Sequence, residues 1–204
     1  MVACYSFKVT WILAFMVVVG STAPFQGDGP LTADDGRELE AALARILLNA
    51  ATPGRGVERR VVITQRAVNG FLRFQGADQL PPGLTEPELQ MEAGGRLTVR
   101  ATVDLDAVRE QQSPGRFNPL NFLSGRLPVT GVGVVRSARR ALTIEIESAR
   151  VGSLPVPATL VAELVQIYTR SEQYPDGIDV GEPIPLPSGI DAVHVEPQRT
   201  VIVQ

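Results

Sequence analysis

The chain has 204 residues, a formal net charge of −3, one histidine and one cysteine. An acidic balance without a basic stripe excludes nucleic acid as an expected partner, because phosphate backbones are held by clustered cations. Without an export segment about 180 residues remain, the size of one domain; a chain of that length buries roughly 70% of its unfolded surface and needs no disulfide.

The N-terminus, MVACYSFKVTWILAFMVVVGSTAPFQ, has the order of a secretory signal. Lys8 precedes an apolar run from Val9 to Val19, and small residues follow. The run is shorter than the roughly 20 residues a spanning helix needs. Residues 1–23 are therefore read as a signal peptide, with a retained anchor as the alternative. Cleavage after Ser21 fits better than after Ala23, which would set Pro24 beside the cut. Cys4 lies ahead of the apolar run, so it is not a lipoprotein cysteine. The expected destination is the periplasm or another extracytoplasmic part of the envelope.

Residues 31–204 read as one α+β domain. Thr32 and Asp35 form a capping-box pattern. Leu39, Ala42, Leu43, Ile46 and Leu47 follow at helical spacing, predicting a helix from Ala33 to about Asn49. A strand over Val57 to Thr64 and a helix over Gln65 to Phe74 come next, the helix turning Val68, Phe71 and Leu72 inward. Beyond QLPPG the period changes to two. Leu89, Met91 and Ala93 alternate with acids and Gln90, and Gly94-Gly95 turns the chain. Leu97, Val99, Ala101, Val103 and Leu105 then alternate with Thr98, Arg100, Thr102, Asp104 and Asp106, as in a strand with one wet face.

Two more strands are expected at Leu127 to Arg136 and Ala141 to Val151, joined by SARR. A third helix, Ala158 to about Thr169, has an apolar stripe of Leu160, Val161, Leu164, Val165 and Tyr168. A polar, turn-rich run, SEQYPDGIDVGEPIPLPSG, leads to closing strands at Ile190 to Glu196 and Thr200 to Val203. The expected architecture is α+β: a curved antiparallel sheet of about seven strands packed on two or three amphipathic helices.

Between the Leu97 strand and the Leu127 strand lies RFNPLNFLSG, apolar for a connection. FNPLNFL fits a short helical turn, with Asn118 as cap, Pro119 at the first helical position and Gly125 as stop. It either plugs the end of the sheet or forms a lip over it.

No constellation for catalysis is present. His194 is the sole imidazole, no G-x-S-x-G elbow occurs, and zinc would lack ligands. Gly131-Val-Gly133 has no helix after it and is no dinucleotide loop. Asp104 with Asp106, and Glu145 with Glu147, read as solvated strand faces. The chain is not expected to be an enzyme, and no cofactor or metal is expected.

What remains is apolar surface. A sheet curved about helices either fills its interior or lines a groove for an apolar ligand. Candidate lining residues are Leu97, Val99, Ala101 and Val103, with Val161, Leu164 and Val165 opposite. Phe117, Leu120, Phe122 and Leu123 are candidates for an entrance lip touching a membrane surface. The alternative is a non-catalytic structural or interaction module of the envelope with a filled core.

Several segments resemble one family in content and order. ITQRAVNGFL (Ile63 to Leu72) is similar to the strand-then-Thr/Ser-x-x-x-Leu-Asn-x-x-Leu helix of envelope proteins of the LmeA and YpmS type. ATVDLDAV, LSGRLPVTGVGVV, IESARVGSLPVP with its helix, and PLPSGIDAVHV follow in matching order, over roughly Val57 to Gln204. The resemblance implies a tubular lipid-binding (TULIP-like) domain, in which a curved sheet wraps a long helix around lipid tails, and phospholipid binding in the cell envelope. It carries over no catalytic residue.

Overall fold

The computed structural model describes residues 29–52, 57–81, 83–110, 124–171 and 174–204, with backbone alone at 108–110. The signal segment and the lip residues Phe117, Leu120, Phe122 and Leu123 lie outside the described residues.

Helix α1 spans Ala33–Ala51 and starts where its sequence says it should. The Thr32 N–H donates to the Asp35 carboxylate at 2.6 Å, and the Asp35 N–H donates to the Thr32 hydroxyl at 3.4 Å. Strand β1 (Arg60–Thr64) starts three residues later than expected and runs directly into α2 (Gln65–Phe74). Thr64 caps that helix, its hydroxyl accepting the Ala67 N–H at 3.0 Å. The two helices meet backbone to backbone. A Cβ on Gly70 would stand 2.6 Å from Asp35 Cβ and 2.6 Å from the Gly36 nitrogen, so glycine is what permits this approach. Arg66 ties the same crossing from outside, donating to both Asp35 oxygens at 2.6 and 2.9 Å.

Strands β2 (Leu84–Met91) and β3 (Arg96–Asp104) form a hairpin through the Gly94-Gly95 turn. Strand β3 ends two residues sooner than its alternation suggests. Asp104 accepts the N–H groups of Asp106 and Ala107, and so caps a short helix α3 (Leu105–Glu110). Leu105 and Asp106 are thus helical, and Asp104 and Asp106 do not share a strand face. Strands β4 (Arg126–Ala138) and β5 (Ala141–Val151) follow. Their two-residue turn, Arg139 and Arg140, has φ of 52° and 60°, the left-handed pair that tight hairpins require. After the two-residue strand β6 (Leu154–Pro155) come α4 (Ala158–Tyr168), β7 (Ile184–Pro185), β8 (Ala192–Glu196) and β9 (Arg199–Val203).

The strands form two antiparallel sheets rather than one. The larger has the order β2-β3-β4-β5-β6, with β7 also on β5; the smaller has β1-β9-β8. Period-two alternation identifies a strand without naming its neighbour, so the split was not legible beforehand. Register shifts at Thr85/Glu88 and at Val132/Gly133 mark bulges that bend the large sheet locally.

Two cores result. The first joins α1 and α2 to the sheets through Leu39, Val61, Phe71, Leu72, Met91, Leu97 and Val99. The second joins α4 to β5 through Val161, Val165 and Ala149, with Ile178, Val180 and Ile184. Those last three come from the run read as polar and turn-rich. Scattered among Asp, Gly and Pro, they show no period, yet they fill the space beside α4. The Thr169 hydroxyl fixes them there, accepting the Ile178 N–H at 2.7 Å.

Candidate functional site

The inner face of the large sheet follows from its register. On β3 it carries Leu97, Val99, Ala101 and Val103. Opposite them on β4 stand Gly133, Gly131, Val129 and Leu127, and on β5 Ile146, Ala149 and Val151. All these side chains are apolar, and the two cores lie on either side of β4. They approach each other at Leu142, which packs against both.

Away from Leu142 the face thins. A Cβ on Gly133 would find only the Glu145 backbone within 4 Å, its carbonyl oxygen at 3.1 Å and carbon at 3.9 Å. Leu97 of the first core and Ile146 beside the second flank this point across the strands, but among the described residues no side chain beyond its chain neighbours comes within 4 Å of that Cβ. Further along, Ala101, Val103, Leu127 and Val129 belong to neither core and are half-buried. Half-buried apolar residues thus form a strip, or trough, along β3 and β4, which runs from near Leu142 past half-buried Gly133 and buried Gly131 toward Asp104 and Arg126.

The expected lining residues therefore separate into two kinds. Leu97 and Val99 are buried in the first core, at 7% and 5% exposure, and Val161 and Val165 in the second. The two pairs thus sit in separate core clusters. Ala101 and Val103 border the trough, and Leu164 is half-buried on α4. The trough residues that sequence reasoning passed over are Leu127, Val129, Gly131 and Gly133. Val132 and Val134, on the other face of β4, are also buried, so alternation could not say which side faces inward. The spacing of Gly131 and Gly133, two residues apart and hence on one face, was the available signal.

Charged groups sit at the far end and on the outer face. The Ala107 N–H and the Arg126 guanidinium, 3.3 Å away, hold Asp104 below the usual carboxylate range. Arg136 pairs with Glu145 at 2.8 Å, and Arg96 with Glu147 at 2.5 Å. These carboxylates act as pair partners and a helix cap, and none is aimed into the apolar face. Among the described residues no three His, Cys, Asp or Glu side chains come together as metal ligands. No described helix is long and apolar enough to cross a membrane. His194 is exposed, and its register pairs it with Val201 in the small sheet.

No protein-family model matches the chain, and no curated protein matches it. Among solved structures, the chain is similar to a crystal structure of lipopolysaccharide binding protein at 15% identity and a TM-score of 0.23. The match covers 71% of this chain and 40% of the other, so the chain spans well under half that protein's length. A likeness at that score assigns neither fold nor function.

Proposed function

We propose that the protein is an exported, non-catalytic envelope protein that sequesters a lipid or another long apolar molecule along the inner face of its large sheet. The observation that supports the reading is the half-buried apolar strip over β4 between the two cores, where among the described residues a Cβ built on Gly133 would meet no side chain beyond its chain neighbours within 4 Å. An alkyl chain laid there leaves water, at about 0.8 kcal/mol per buried methylene. The chemistry asked of the protein is burial alone, which suits a site whose charged groups are committed elsewhere. The signal-like N-terminus supports export, and the resemblance of Ile63 to Leu72 and the later segments to LmeA/YpmS-type proteins supports a phospholipid as ligand class and a TULIP-like relation.

A filled-core structural module is the competing reading. It is favoured by the burial of Leu97, Val99, Val161 and Val165 inside the two cores. Thermal unfolding with and without a long-chain phospholipid separates the two. A ligand bound to the native state at a hundred times its Kd stabilises by about 2.7 kcal/mol, so a lipid-binding protein shows a concentration-dependent rise in Tm. A flat Tm up to the lipid's solubility limit leaves the filled module standing.

A further inference from the structure

Asn69 is followed by Gly70, and this dipeptide is the most labile asparagine context in protein chemistry. With no side chain on the following residue, its backbone nitrogen reaches the asparagine Cγ unhindered. In this fold the pair is disarmed. Asn69 is 4% exposed, and both ends of its amide are held by Leu89: Oδ1 accepts the Leu89 N–H at 2.7 Å and Nδ2 donates to the Leu89 carbonyl at 2.8 Å. Position 69 lies inside α2, where helical geometry keeps the following nitrogen in the backbone ladder and away from Cγ. Replacing the glycine is costly, because a Cβ there would stand 2.6 Å from Asp35 Cβ and from the Gly36 nitrogen. The helix crossing thus favours the glycine and the β2 edge the asparagine, and together they keep a reactive dipeptide in the fold.

We infer that Asn69-Gly70 is a fold-guarded deamidation site that irreversibly marks any chain that has dwelt unfolded. In the unfolded chain the Gly70 nitrogen, having given up its proton, attacks Asn69 Cγ. A C–N bond forms, ammonia leaves with that proton balance restored from water, and a succinimide ring results. Water then opens the ring at either carbonyl, giving aspartate or isoaspartate at position 69, with no oxidation or reduction. Neither product restores the native contact. A carboxylate has no N–H to give the Leu89 carbonyl and would bring a buried negative charge against it. Isoaspartate also inserts a methylene into the backbone of α2.

Peptide mapping tests this directly, because cleavage after Arg66 and Arg73 releases AVNGFLR, with Asn69 as its only amide side chain. The fragment with Asn49, followed by Ala50, is an internal control. The purified full chain is held in mildly alkaline buffer with and without urea, and AVNGFLR is followed by mass spectrometry. The expected result is acid conversion at Asn69 in urea, outpacing Asn49, and at least tenfold slower conversion in native buffer. After dilution from urea, the refolded monomer isolated by gel filtration should be depleted of the converted peptide. Equal conversion rates with and without urea overturn the inference. So does a refolded fraction containing the converted peptide in the proportion present before refolding.

Discussion

The Asn69 side chain stands in for a β-strand. Its amide oxygen and nitrogen pair with the N–H and the carbonyl of Leu89 at 2.7 and 2.8 Å, on the edge of β2 that β3 leaves open. Two residues on, the Met91 N–H donates to Gln65 Oε1 at 2.7 Å and the Met91 carbonyl accepts from the Gln198 N–H at 3.0 Å. A sheet edge buried under a helix would otherwise strand these groups, since buried backbone donors and acceptors must be paired. Helix α2 thus closes the sheet with side-chain amides. Replacing Asn69 by Leu keeps volume and removes both bonds. The expected loss is about 3 kcal/mol, from two buried backbone groups left unpaired, read as a lowered midpoint in urea with an unchanged slope.

Stability should fall in acid through Asp35. The Arg66 guanidinium, then the Thr32 N–H, lower its pKa from 3.8 to about 2. The unfolded chain therefore binds a proton at this site before the folded one does. The contribution is complete above the unfolded pKa and drains away as pH falls from about 4 toward 2. Urea midpoints measured between pH 6 and pH 2 should show a steeper decline for the wild type than for Asp35→Asn, with the difference confined to that window.

Glycines divide by what surrounds them. Gly70→Ala would gain helix propensity but drives a methyl group against Asp35 and Gly36, so a net loss of about 1–3 kcal/mol is expected from overpacking. Gly94 has a φ of +73° and nothing within 4 Å of a built Cβ. Gly94→Ala should cost only the left-handed backbone penalty of about 1–2 kcal/mol, and Gly94→Asn less still. Chemical denaturation of the three variants checks the order.

The two cores should respond independently. Leu39 and Val161 are both fully buried, one in each core. Leu39→Ala should cost about 3 kcal/mol, and Val161→Ala somewhat less. The double variant should equal the sum to within about 0.5 kcal/mol. A larger coupling would mean that the cores touch beyond Leu142.

Much of the α+β framework was legible because local chemistry agrees with it. The Thr32–Asp35 box starts α1, Thr64 starts α2, and the alternation from Leu97 to Val103 is that of β3. The pairing of β1 with β9 was not legible, because strands from opposite chain ends carry no mutual label. Nor was the burial of Ile178, Val180 and Ile184, whose neighbours in sequence are turn formers. Which of the candidate lining residues are core was not legible: Leu97 and Val99 belong to one core and Val161 and Val165 to the other, while Ala101 and Val103 are half-buried. The Gly131/Gly133 pair emerges only when register places it between the two cores.

The most direct test of lipid sequestration fills the trough from within. Gly133→Leu projects a side chain over β4, where a built Cβ meets only the Glu145 backbone. The wild type and this variant, purified in parallel, are extracted with organic solvent, and the extracts are compared by mass spectrometry against protein amount. Sequestration predicts a lipid recovered in near-stoichiometric proportion from the wild type, and at least a tenfold depletion in a variant that remains folded by circular dichroism. Lipid-free wild type that also fails to take up added phospholipid, or undiminished lipid in the folded Gly133→Leu variant, would contradict it.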